Sequence, residues 1–243
     1  MSAGGAGTAV IGGSGTGSVV IQYSNVVTYP DITFYDKMDS STTGRAPTKG
    51  SGTLTITSNI VPAAALSSSS TASLYGNLNA AFKHIAGQVS GNMDLSVGRA
   101  GFYFEWDTAT NNASTAFGWV PSGDASPRFA FRKGNSGSTW SFKYEDVSID
   151  KTLTAGTTYY VEVAWDHSKT HGYCAGARID GGTMTTSNSC TASVPTMTSS
   201  FGLMGDATLA SGTSLNGKMD EVIISSDSTR DLYAIRDLGS YPN

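Results

Sequence analysis

The stretch FGLMGDATLASGTSLNGKMDEVIISS, residues 201–226, decides the fold. A short apolar segment ends at Gly205, a polar loop follows, and a second apolar run ends at Ile224. In the run 222–224 (VII), consecutive apolar side chains must leave both faces of a strand. Turn-forming residues, Asn216-Gly217 before it and 225–227 after it, bound this run. The stretch therefore predicts a strand that is buried between two layers.

The rest of the chain shows the same pattern of short apolar or alternating runs separated by polar turns. Strands are predicted at 31–36, 53–57, 100–106, 116–120, 128–132, 139–144 and 158–165. This regular spacing predicts an all-β fold, a two-sheet antiparallel jelly-roll sandwich with at most one or two short helices. The helical spacing of Leu74, Leu78, Phe82 and Ile85 predicts one helix, and a helical turn capped by Ser226 or Asp227 is expected within 227–238.

Three motifs in order resemble laminin-G-like domains of the concanavalin A-like lectin/glucanase superfamily. They are YYVEVAWD at 159–166, ARIDGG at 177–182 and the GKMDEV closing strand at 217–222. The resemblance implies a jelly-roll domain over residues 25–243. It implies little about activity, because this fold hosts lectins, glycosidases and structural modules.

Composition excludes several classes of function. The chain has 243 residues, of which only 14% are charged, and a net charge of −4 without a basic cluster. This argues against nucleic-acid partners. No apolar run reaches the roughly 18 residues of a membrane span. Residues 1–15 lack the basic and apolar regions of a signal peptide, although the composition suits an extracellular surface. A mature fragment with an added Met, a non-classical export route and a virion protein released by host lysis each fit these observations, and the third explains most of them.

Residues 1–24 form a separate glycine-rich N-terminal arm with a leading strand. The GGSG segment at 12–15 and the VVIQY run at 19–23 resemble leaders of bacteriophage tail and virion proteins. This resemblance implies attachment to other virion proteins or to copies of the chain. The residues expected to bind such a partner are Val10, Ile11, Val19, Val20, Ile21 and Tyr23. A disordered linker is the open alternative.

The two cysteines, Cys174 and Cys190, flank a turn at 180–182, and the midpoint between them is residue 182. Opposed residues of an antiparallel hairpin approach closely enough for a disulfide, so we predict a bridge. Two reduced, half-buried thiols remain the alternative. A zinc site is not expected, because the chain has no further Cys and its His residues lack zinc-finger spacing.

Candidate catalytic residues are incomplete. Glu105 and Asp107 should share one face of a strand, as in retaining glycosidases with an E-x-D-x-x-E motif, but Thr110 stands where the second Glu would be. Asp166, His167 and His171 are expected in a solvated turn. We therefore predict that the chain is not an enzyme and has no catalytic residue, resident metal or cofactor.

Two binding features remain open. Trp119 is the candidate for stacking on a sugar ring, and the other three tryptophans are expected in the core. Calcium at a loop rim, held by Asp107, Asp166 and Asp206, is a secondary alternative that the family resemblance implies.

The leading functional hypothesis is a non-enzymatic structural or decoration component on the surface of a bacteriophage virion, attached through its N-terminal arm. The alternative is a carbohydrate-binding adhesin or receptor-binding module that recognises host or environmental glycans. The sequence predicts neither a nucleic-acid nor a membrane partner.

Overall fold

A computed structural model describes residues 28–57, 59–76, 85–107, 114–119, 128–134, 137–196, 200–205 and 215–237. Within these ranges, the strands are β1 (Ile32–Asp36), β2 (Thr55–Ile56), β3 (Ile60–Ala63), β4 (Ser73–Gly76), β5 (Ile85–Gln88), β6 (Val97–Trp106), β7 (Ser114–Trp119), β8 (Arg128–Lys133), β9 (Thr139–Glu145), β10 (Val147–Thr152), β11 (Tyr159–Asp166), β12 (Ala175–Ile179), β13 (Thr185–Ser187), β14 (Ser200–Leu203) and β15 (Gly217–Ser225). The helix α1 spans Leu232–Ile235.

The described strands form two antiparallel sheets packed face to face. The eight-stranded sheet runs β13-β12-β11-β6-β15-β4-β3, and β1 pairs with the second half of β15. The seven-stranded sheet runs β10-β9-β8-β7-β14-β5-β2. The predicted all-β, two-sheet sandwich is confirmed.

The closing strand β15 lies where the sequence predicts, between β6 on one side and β4 and β1 on the other. Val222 and Ile224 pack into the core between the sheets, while Ile223 packs into a second cluster on the opposite face. Both faces of the strand are therefore covered. The run 222–224 is continuously apolar because both faces of the strand are buried.

The second cluster exists because the C-terminal segment covers part of the outer face of the eight-stranded sheet. Leu232 of α1 is fully buried against Tyr160 and Ile223. Glu162 of β11, also buried, accepts a hydrogen bond from the Leu232 N–H at 3.1 Å and forms an ion pair with Arg178. We call residues 226–237 the C-terminal cover.

The predicted helix over 74–85 is wrong for the residues that the structure describes. Leu74 lies in β4 and Ile85 in β5, and residues 77–84 lie outside the described ranges. Leu74 is a core residue of the eight-stranded sheet, so its apolar character reflects strand burial. The predicted terminal helical turn exists as α1, but its N-cap is Asp231, whose side chain accepts from the Ala234 N–H.

The predicted disulfide links Cys174 and Cys190 in the structure. The hairpin register differs from the expected one, because Ala175 pairs with Ser187. Cys190 therefore lies three residues beyond the end of β13. Its backbone N–H donates to the Cys174 sulfur at 3.2 Å. The turn at Asp180-Gly181 has positive φ at both residues and a hydrogen bond from the Gly182 N–H to the Ile179 oxygen, as in type I′ turns.

The N-terminal arm, including its six candidate partner-binding residues, lies outside the described residues, so its role stays a prediction. In the part of the chain that the structure covers, no helix is long and apolar enough to cross a membrane.

Candidate functional site

Five side chains line up across the outer face of the eight-stranded sheet, beside the C-terminal cover. Cross-strand pairing places Val61 opposite Tyr75, Tyr75 opposite Lys218, and Lys218 opposite Glu105. Thr158, just before β11, continues the line beside Glu105. We call these five residues the outward row. Because neighbouring strands lie about 4.8 Å apart, the row is about 19 Å long.

Strand alternation explains why these side chains point away from the core. Each follows or precedes a residue that packs between the sheets, namely Ile60, Leu74, Met219, Phe104 or Tyr159. Successive side chains of a strand point to opposite faces. The row residues therefore leave the sheet on its outer face, where Val61 is 43% exposed and the other four are partly or fully exposed.

A glycine brings the two central strands of the row together. Gly217 has φ +153°, and a Cβ placed there would lie 2.1 Å from the Glu105 carbonyl oxygen. Only a residue without a side chain permits this approach of β15 to β6. The next residue, Lys218, consequently stands directly beside Glu105.

Hydrogen bonds and one ion pair fix the polar part of the row. The Lys218 ammonium donates to Glu105 Oε1 at 2.8 Å, and the Thr158 hydroxyl donates to Glu105 Oε2 at 3.0 Å. The Tyr75 hydroxyl donates to Asp107, which follows β6. Burial, and then the Asp107 carboxylate, raise the pKa of Tyr75, so its phenol stays protonated at neutral pH. The row thus presents a chain of donors and acceptors in fixed positions.

The C-terminal cover borders the row along β6. Tyr103, two residues from Glu105 on the same face, donates to Asp237 at 2.9 Å and accepts from Arg236 Nε at 2.9 Å. Arg236 also lies over the Tyr233 ring, 3.5 Å from its centroid. These contacts form a border beside the exposed row, and we call its residues, Tyr103, Tyr233, Arg236 and Asp237, the wall.

The predicted carboxylate pair belongs to this site. Glu105 lies in the row, and the Tyr75 hydrogen bond brings Asp107 to the same face, as the spacing of two residues predicts. Both Glu105 oxygens accept hydrogen bonds from neighbours within the protein. Thr110, at the third position of the glycosidase motif, lies outside the described residues.

The two histidines of the β11–β12 turn bind different carboxylates. His167 Nδ1 lies 2.6 Å from Glu145 Oε1, whereas His171 Nδ1 lies 2.9 Å from Asp166 Oδ2. Burial alone would raise the pKa of Asp166, but hydrogen bonds from Ser168 and His171 outweigh it and lower this pKa. Each imidazole is thus held by its own buried acid, and the pair forms a structural turn.

Sequence reasoning missed Glu145, which ends β9. It is fully buried, and its Oε2 has no hydrogen-bond partner among the described residues. One of its carboxylate oxygens, one oxygen of Asp146 and the Cys190 sulfur all lie within 4.8 Å of one another. The sulfur belongs to the disulfide, and Asp146 accepts hydrogen bonds from the Thr191 hydroxyl and N–H, which lower its pKa to about 2. The only sequence signal is a Glu-Asp pair in a tight turn.

Two of the three aspartates considered for calcium, Asp107 and Asp166, lie too far apart to bind one ion. Asp166 pairs with Val97 at the start of β6, whereas Asp107 follows the end of that ten-residue strand. At about 3.4 Å per residue, the two lie roughly 30 Å apart. Asp206 lies outside the described ranges.

Three of the four tryptophans pack in the core, as predicted. Trp106, Trp140 and Trp165 are buried, and the indole N–H of Trp165 donates to the Asp94 oxygen at 2.7 Å. Trp119 ends β7, but its side chain is not among those described. Its stacking role therefore stays a prediction.

Comparison with known proteins gives similarity of fold. No protein-family model matches the sequence, and no curated protein sequence matches it. Trypanosoma rangeli sialidase in complex with sialic acid is similar over 93% of this chain and 36% of that chain, with a TM-score of 0.62 and 10% identity. The same sialidase in complex with 2,3-difluoro-KDN matches over 89% of this chain and 34% of that chain, with a TM-score of 0.64 and 10% identity.

A second kind of match scores lower. The CBM40 of Ruminococcus gnavus IT-sialidase, bound to alpha2,3 sialyllactose, covers 58% of this chain and 82% of that one, with a TM-score of 0.43 and 13% identity. The chain thus spans about a third of the length of the T. rangeli sialidase chains that it matches. The similarity to the T. rangeli sialidase chains shows an all-β fold that also occurs as part of a larger protein.

Proposed function

We propose that this chain is a non-catalytic carbohydrate-binding module whose binding surface is the outward row. The observation that carries the proposal is the row itself, which has five exposed or partly exposed side chains in register across four strands and the residue that precedes a fifth. A rigid sheet holds these groups at fixed spacing, so little conformational entropy is lost when a ligand binds.

The chemistry of the row suits a saccharide. Sugar hydroxyls both donate and accept hydrogen bonds, and the row offers an ammonium at Lys218, a carboxylate at Glu105 and a hydroxyl at Thr158. Charge-assisted hydrogen bonds are stronger than neutral ones. At the other end, Val61 and the Tyr75 ring offer apolar surface for the C–H face of a sugar.

The same contacts support binding without hydrolysis. A general acid or base must be within hydrogen-bond reach of the proton that it transfers. Both oxygens of Glu105 already accept from Lys218 and Thr158, which suits a group that orients hydroxyls. The fold similarity to sialidase chains supports the architecture alone, whereas the side chains of the outward row support glycan binding.

We further propose an extracellular location. The supporting observation is the disulfide between Cys174 and Cys190, both of which are buried. Such bridges persist in oxidising compartments. Attachment to a virion through the N-terminal arm stays a prediction about residues that the structure does not describe.

A glycan array followed by calorimetric titration of the best oligosaccharide tests the proposal. Lys218→Ala and Glu105→Gln should each weaken binding at least about tenfold, because each removes a charge-assisted hydrogen bond worth about 1.5–3 kcal/mol. The control is Asp150→Asn, an exposed carboxylate on β10 of the other sheet. Binding that both row variants leave unchanged would place the ligand elsewhere, and an array without any bound glycan would refute the function.

A further inference from the structure

The charge of the outward row and of its border indicates which saccharides fit. Together with Asp107, the row contains two carboxylates and a single cation, Lys218. That cation is already bonded to Glu105 at 2.8 Å. The other hydrogen-bonding groups, Tyr75 and Thr158, are neutral hydroxyls, since the raised pKa of Tyr75 keeps its proton in place.

The wall beside the row adds no net positive charge. Arg236 is the cation of the cover nearest to Glu105, and it donates to the Tyr103 hydroxyl, which itself donates to Asp237. Arg236 Nε also lies 3.5 Å from an Asp237 oxygen. The charges of the wall are thus balanced among themselves.

From this balance we infer that the outward row selects neutral, hydroxyl-rich saccharides and discriminates against sialic acids, uronic acids and sulfated sugars. This inference rests on the proposed function and names its ligand class. An anionic sugar would have to displace Lys218 from Glu105 and would then face that carboxylate at close range. A neutral sugar leaves the ion pair intact and donates its hydroxyls to Glu105 and Asp107.

Paired ligands test the inference directly. The probes are oligosaccharides built from glucose, galactose, mannose and their N-acetylamino derivatives, each compared with its sialylated, uronate-containing or sulfated counterpart. The full chain with its disulfide intact should bind the neutral member of a pair at least about tenfold more tightly, since two like charges about 4 Å apart at a protein surface repel strongly. Salt should affect the affinity for the neutral member little and should reduce the gap between the two members, because ions screen exposed charges.

One variant that removes the repelling charge and one control variant test the role of Glu105. Glu105→Gln should weaken binding of the neutral saccharide yet reduce the ratio of neutral to acidic affinity, because the repelling charge is gone. The control is Lys143→Ala, on β9 of the other sheet, which should change neither the affinity nor the ratio. If Glu105→Gln weakened binding of the neutral saccharide but left the ratio of neutral to acidic affinity unchanged, the charge argument would be contradicted.

The outcomes separate the two claims. Equal or tighter binding of the acidic counterparts overturns the inference and leaves the carbohydrate-binding function standing. Failure of every neutral and acidic saccharide to bind overturns both. Neutral preference that persists unchanged in Glu105→Gln also overturns the inference, because the selectivity would then arise elsewhere.

Discussion

Replacing Asp220 by Asn should change how stability depends on pH, because this carboxylate is fully buried in β15. It accepts hydrogen bonds from the Leu66 N–H at 2.8 Å, the Ser67 N–H at 3.1 Å and the Ser70 hydroxyl at 2.7 Å. Burial raises its pKa from 3.8 to about 6, although these hydrogen bonds act in the opposite direction. The carboxylate therefore holds the 66–70 loop against the sheet, and its ionised form is unfavourable in the folded state.

The magnitude follows from linkage. A pKa that is higher in the folded than in the unfolded chain means that the folded chain binds the proton more tightly. This stabilisation is fully present below about pH 4 and is lost as the pH rises through 6. At 1.36 kcal/mol per pKa unit, the shift from 3.8 to about 6 corresponds to about 3 kcal/mol. An Asn side chain stays neutral and carries no such pH dependence.

Urea unfolding of the oxidised protein, followed by tryptophan fluorescence between pH 4 and pH 8, measures this effect. The unfolding free energy of wild type minus that of Asp220→Asn should fall by about 2 kcal/mol between pH 4 and pH 7, which is most of the full effect. Part of this change comes from Glu221, whose pKa is raised by burial and by the charges of Asp237 and Asp220. Ser148→Ala, at an exposed residue of β10 without a titratable group, should give a constant difference. An equally constant difference for Asp220→Asn would refute the reasoning.

Three further predictions concern the framework of the site. Leu232→Ala should destabilise the chain by about 2–4 kcal/mol in urea, because it empties the buried contact under the C-terminal cover; a loss below about 1 kcal/mol would mean that the cover is not packed. Gly217→Ala should lower the melting temperature sharply, since its Cβ would lie 2.1 Å from a β6 carbonyl oxygen. The control is Gly134→Ala, whose Cβ would have no atom within 4 Å and which should leave the melting temperature unchanged. Similar melting temperatures for the two variants would contradict the close approach of β15 to β6. Replacing Cys174 and Cys190 by Ala should cost about 3 kcal/mol in the chain-entropy model, and an unchanged urea midpoint would show that the bridge is not a stabilising element.

Local patterns predicted the sandwich because the burial of each strand determines which residues in a short stretch of sequence are apolar. The run 222–224 required cover on both faces, and the structure supplies it with the core on one side and Leu232 on the other. The same reasoning misassigned Leu74, because spacings of four and three residues between apolar side chains can also arise from separate strands. The disulfide was predicted by proximity, although the true register places Cys190 past the end of its strand.

The candidate site could be predicted only in part. The spacing of Glu105 and Asp107 showed that they share a face, which the structure supports. Which residues stand beside them depends on the pairing between distant strands and on an irregularity in β15 between Asp220 and Ile223, where Glu221 has φ 45°. No local pattern encodes that register. Lys218, 113 positions from Glu105, therefore entered the site only through the structure.

Backbone amide chemical shifts of the ¹⁵N-labelled chain, titrated with the tightest neutral oligosaccharide from the array, test the central claim most directly. The account predicts that the largest shifts map to Val61, Tyr75, Glu105, Thr158 and Lys218, with little change at the β11–β12 turn around His167. Shifts concentrated at that turn, or on the outer face of the seven-stranded sheet, would contradict the assignment of the outward row as the binding surface.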